Sequence, residues 1–118
     1  MPIVLENIDV WNKSVQLAKD IRKLCKENNN LKNDYGMKDQ IQRSATSIAS
    51  NIAEGKDRNS DKDFIRFLTI ARWSTSELKT QLYIIQDDID STQFTHLLKE
   101  ITDIHKMINW FIKSILKQ

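Results

Sequence analysis

From Phe64 to Ile89, apolar and small residues recur at alternating steps of four and three: Phe64, Leu68, Ala71, Thr75, Leu78, Leu82, Ile85 and Ile89. That is the period of a helix seam facing other helices. Read as one helix from Ser60 to Asp88, the stretch is about 40 Å long at ~1.5 Å per residue and forms the spine of the fold. Ile65, Phe67, Ile70, Trp73, Tyr83 and Ile84 lie off this seam. A helix apolar on more than one face is covered on more than one face, by its own chain or by another subunit. Two glycines and one proline, at position 2, leave few breakers, so long helices joined by short turns are the expected design.

The preceding helix, from Tyr35, carries the seam Ile41, Ala45, Ile48 and Ile52, with a polar stripe beside it: Gln40, Ser44, Ser47, Asn51 and Glu54. Gly55 is expected to stop this helix by taking left-handed dihedrals. Lys56-Asp57-Arg58-Asn59 is then the turn, and Ser60 with Asp63 resembles a capping box. The first helix is expected to run from an Asp9 N-cap to about Glu27, with Trp11, Val15, Ala18, Ile21 or Arg22, and Cys25 as its seam and Leu17 and Leu24 widening it. Asn28 to Asp34 reads as a polar connector. The last helix, capped by Asp90 or Ser91, carries Phe94, Leu97, Ile101, Ile104, Ile108, Phe111 and Ile115. Four seamed helices with short turns predict an all-α, antiparallel up-down-up-down four-helix bundle, residues 1–118 forming one domain.

Chemistry is hard to place on this chain. His96 and His105 are nine residues apart on one helix, so they face different sides and cannot pair on a metal. There is no Cys pair for zinc, no Gly-rich phosphate loop and no Glu-x-x-His pattern. Cys25 is alone, sits at an apolar position and has no His near it in sequence, which predicts a buried, inert thiol. No enzyme activity, cofactor or metal is expected. No apolar run approaches membrane-spanning length and no signal peptide is apparent, so a cytoplasmic protein with no membrane role is expected. Formal net charge is +2, and the basic residues are grouped. Lys19, Arg22, Lys23 and Lys26 share one side of the first helix; Lys99, Lys106 and Lys113 recur every seven residues on the last; Arg58, Lys62 and Arg66 mark the start of the third. Such groups bind phosphates through counterion release, or merely solvate a face.

Tyr35-Gly36-Met37, Gln40-Ile41, Arg43, Ala45, Ser47-Ile48, Ser50 to Gly55, Arg58, Ser60, Phe64 to Leu68, Ile70-Ala71, Ser74 and Glu77-Leu78 resemble a known signature, and Val10-Trp11 fits it. It is that of a four-helix-bundle family encoded in intervening sequences of bacterial 23S ribosomal RNA genes, often labelled S23 ribosomal protein. The accessory variability protein of diversity-generating retroelements is similar. This chain departs from the pattern at Trp73, where the family usually has Gly, so packing or an interface differs there.

The resemblance implies a non-catalytic homo-oligomer, a ring of five subunits, that binds RNA or DNA as an accessory factor and has a reverse transcriptase as a candidate partner. Its phosphate contacts would be Arg22, Lys23, Lys26, Arg58, Lys62 and Arg66, and its assembly surface Phe67, Ile70, Trp73 and Glu77. Arg43, Asn51 and Glu54 would form a structural polar network, since a half-buried carboxylate needs a partner. The alternative is a protein–protein interaction scaffold that uses the extra apolar faces and keeps the lysines for solubility.

Overall fold

The structure, a computed structural model, describes residues 3–118. Four long helices are present: α1 (Asp9–Glu27), α3 (Tyr35–Lys56), α4 (Asp61–Ile84) and α5 (Ser91–Leu116). A single helical turn, α2 (Asn29–Lys32), lies between α1 and α3. Each long helix packs on the helices before and after it, and α5 closes back on α1. The result is the antiparallel bundle expected, 47 Å long and about 20 Å across. One core takes residues from all four, among them Ile21, Ile41, Ile52, Leu68, Leu82 and Ile104.

Several local expectations shift. The buried residues of α1 are Val10, Ser14, Leu17, Ile21, Leu24 and Cys25: Ile21, Cys25, Leu17 and Leu24 are buried as expected, while in the first turns the line runs through Val10 and Ser14, one position before the expected Trp11 and Val15, which with Ala18 are only half-buried. Ser14 hid the true seam: its hydroxyl is buried because it donates to the Val10 carbonyl at 2.7 Å. Asp9 is the first residue of α1 rather than its cap; Ile8 occupies the cap with no side-chain bond. Asp9 there favours the positive end of the helix dipole instead. The connector after α1 is helical because Asn28 caps it, accepting from the backbone N–H groups of Asn30 and Leu31.

The spine helix ends at Ile84, and a 3-10 turn, Gln86–Asp88, follows. At ~1.5 Å per residue α4 is therefore about 36 Å long. The apolar period continues through the break because Ile85 is still buried. Ser60 caps α4 through the Asp63 N–H at 3.2 Å, and Asp90 caps α5 through the Thr92 N–H at 2.7 Å.

Gly55 has a different purpose from the one expected. It takes no positive φ and lies inside the last turn of α3. A Cβ there would meet Phe67 Cβ at 2.8 Å and Phe64 Cδ1 at 2.9 Å. The missing side chain lets α3 and α4 touch where they are joined.

Candidate nucleic-acid and assembly surfaces

The bundle topology separates the six expected phosphate contacts. Arg22, Lys23 and Lys26 are exposed on the last turns of α1, the end at which α4 also terminates. Arg58, Lys62 and Arg66 are exposed around the α3–α4 turn, at the other end. Each group is diluted by acids. Arg66 lies 3.7 Å from Asp63. Lys23 shares a groove with Asp20 and Glu27, and Arg22 shares one with Asp39. Arg58 and Arg66 also flank one ring, their guanidinium carbons 4.6 and 4.9 Å from the centre of Phe67.

That stacking corrects the place of Phe67. The ring is only 7% exposed, covered by its own chain. The rest of the expected assembly surface does face outward. Ile70 is half-buried, Glu77 is exposed, and Trp73 is 63% exposed on the side of α4 away from the seam. The bulky ring of Trp73 thus enlarges the outer face of α4 and stands outside the core.

The polar network exists with different members. Ser44 donates to the Glu77 carboxylate at 2.5 Å. Ser47 and Ser74 share a hydroxyl contact at 2.9 Å, and Asn51 donates to the Ser47 carbonyl at 2.8 Å and hydroxyl at 3.0 Å. Small hydroxyls therefore zip α3 to α4, and Asn51 bonds one of them, Ser47, from its own helix. Arg43 and Glu54 stand outside. Arg43 pairs with Asp39 one turn earlier on its own helix, at 2.9 Å, and Glu54 is exposed. Further along the same contact, Gln81 is 8% exposed and its Oε1 has no partner.

A further polar site joins α4 to α5. Lys79 and Ser76 from α4, and Thr102, His105 and Lys106 from α5, line a groove with Thr75 and Ile101 at its base. His105 Nδ1 lies 2.8 Å from Thr75 Oγ1, and that hydroxyl also donates to the Arg72 carbonyl at 2.6 Å. Arg72 is held beside it by Asn109 Oδ1 at 2.8 Å. Burial, with the Arg72 and Lys79 charges nearby, pushes the His105 imidazole below its usual pKa. Sequence reasoning missed this grouping because it joins residues from two helices, and periodicity along one helix does not encode it.

Among the described residues there is no group of three or more potential metal ligands. Cys25 is buried, and burial pushes its thiol pKa up, as expected of an inert side chain. No helix of the described residues is long and apolar enough to cross a membrane.

Comparison with known proteins agrees with the fold. The closely similar backbone of a crystal structure, that of a protein of unknown function from the S23 ribosomal protein family of Bacteroides thetaiotaomicron, matches with a TM-score of 0.82 at 33% identity. The match covers 88% of this chain and 98% of that one. Among curated proteins, none matches. Residues 6–110 match the family described as 23S rRNA-intervening sequence protein. With the four-helix bundle and its α3–α4 signature in place, the chain belongs to the 23S rRNA-intervening sequence protein family.

Proposed function

We propose that this chain is a non-catalytic subunit of a homo-oligomer that binds the phosphate backbone of RNA or DNA as an accessory factor. The observation that carries the reading is the outer face of α3 and α4. There α4 presents Trp73, 63% exposed, beside the half-buried Ile70. A second copy packed on this face would take that apolar surface out of water. The same copy would cover Trp73. A ring of five is the stoichiometry the resemblance implies. In such a ring, a modest basic group on one subunit recurs around the axis and becomes a strong field.

The test is binding of the purified protein to a short fluorescent RNA and to a DNA duplex across a salt series, with native mass measured on the same sample. Expected is a defined oligomer whose affinity falls steeply with salt. Trp73→Asp with Ile70→Asp should reduce the mass; an unchanged mass overturns the interface. Glutamine at the six basic positions should flatten the salt dependence; an unchanged slope removes those six as the contacts.

One observation favours the second reading, a scaffold for proteins. A groove of about 330 Å³, lined by Ile3, Ile8, Val10, Met107, Trp110 and Phe111 among others, is mostly apolar and suits a protein segment better than a phosphate. A reverse transcriptase is the partner implied by resemblance. An intact oligomer that binds neither nucleic acid at low salt moves the weight to this reading.

A further inference from the structure

We propose that the α4–α5 groove is a phosphate-binding site, and that in the nucleic-acid complex it seats a backbone phosphodiester. The anion site stands on the groove alone; its extension to a phosphodiester rests on the function proposed above.

Lys79 and Lys106 come from different helices to one groove, with the Ser76 and Thr102 hydroxyls as further donors. No carboxylate lines it. Neither lysine is in an ion pair among the described residues. Asp103, one turn before Lys106, is held by Lys99 at 2.7 Å. The groove holds about 150 Å³, room for about five waters at ~30 Å³ each, or for a tetrahedral anion with part of its hydration. Two ammonium groups and two hydroxyls form a donor set for an oxyanion, and the carboxylate that Lys106 feels, Asp103, lies outside the groove with Lys99 as its ion-pair partner.

His105 makes this site distinct from an ordinary lysine patch. Thr75 spends its proton on the Arg72 carbonyl, so its oxygen accepts from His105 Nδ1–H. That fixes the neutral tautomer with the lone pair on Nε2, which has no protein partner among the described residues. The charged groups around the ring are Arg72 and Lys79 from α4 and Lys106 from its own helix, all cations. They disfavour the imidazolium while the groove is empty. An anion in the groove reverses the balance, so binding takes up a proton and strengthens as pH falls below about 6.5, the ordinary histidine value. The donor set thus fits phosphate with a linked protonation that a solvated lysine face would lack.

The experiment follows the His105 imidazole by NMR while inorganic phosphate is added, with His96 as internal control on the far side of α5. Phosphate should raise the apparent pKa of His105 by roughly one unit, a tenfold linkage, and leave His96 unmoved. The double substitution Lys79→Gln, Lys106→Gln changes two exposed side chains, and its fold is checked by helical content and melting. It should abolish the His105 response and lower the RNA salt slope by roughly one per lysine. A His105 response without any change in RNA binding assigns the groove to free phosphate and overturns the phosphodiester. RNA binding with no His105 response overturns the groove and leaves the proposed function standing. No RNA binding by the unaltered protein overturns that function, and the phosphate titration still decides the site.

Discussion

Gly55→Ala tests whether α3 and α4 are locked by close approach or merely adjacent. The new methyl would lie 2.8 Å from Phe67 Cβ, 2.9 Å from Phe64 Cδ1 and 3.3 Å from the Phe64 carbonyl oxygen. Ordinary carbon contacts begin near ~3.5 Å, so about 0.7 Å must be recovered against Phe67. The Phe64 ring tip can swing away. Phe67 Cβ and the Phe64 carbonyl cannot, because they ride on the α4 backbone. Overpacking of this kind costs about 1–3 kcal/mol. Alanine returns up to ~1 kcal/mol of helix propensity, less in a last turn, which leaves a net loss of about 1–2 kcal/mol. With ~2.1 cal/mol/K per residue over 118 residues, that is a fall in Tm of roughly 4–8 °C. Gly36→Ala is the control, because nothing lies within 4 Å of its added methyl. It should stabilise by about 0.5 kcal/mol. Both are measured by urea and thermal unfolding at one protein concentration, since assembly shifts apparent stability. If Gly55→Ala melts at or above Gly36→Ala, the helices relax freely and the close-approach argument fails.

Asn28→Ala removes the cap of α2 and one of two side-chain bonds to the Asp88 carbonyl, so it should destabilise by about 1–2 kcal/mol in denaturant unfolding; a loss under a few tenths would show that the connector contributes nothing. The His105 pKa is depressed in the folded state, so the neutral ring is the favoured form. Its contribution is whole above the unfolded value near ~6.5 and is lost as pH falls towards and through the lower folded value. Histidine-to-glutamine replacement at position 105 should therefore flatten the stability curve below about pH 6.5; an identical acid limb in both proteins would show that the ring is not the cause.

The bundle was legible because each long helix repeats its apolar period over several turns. Ile41, Ala45, Ile48 and Ile52 are all buried where their spacing put them. What misled was any residue whose purpose depends on a neighbouring helix. Gly55 looks like a helix stop along the chain and is a contact point across it. Ser14 misled for a local reason instead: polar by type, it is fully buried because its hydroxyl bonds a carbonyl of its own helix. Ile85 keeps the seam running over a backbone that has already left the α-helix. The candidate sites follow the same logic. Arg58 and Arg66 were visible as charges, but their stacking on Phe67 was not. Lys79 and Lys106 belong to one groove only after α5 packs on α4, and no spacing within either helix announces it.

Asn28 and Asn30 both donate to the Asp88 carbonyl, at 2.9 and 3.3 Å, across 60 and 58 residues of sequence. In kinetic terms this contact is late. Its two sides share one end of the molecule only after α3 and α4 have formed their hairpin and carried the chain back. The α3–α4 pair closes across a four-residue turn, so its loop entropy is small and it is the natural nucleus. The asparagine pair then acts after the nucleus, slowing unfolding more than it speeds folding.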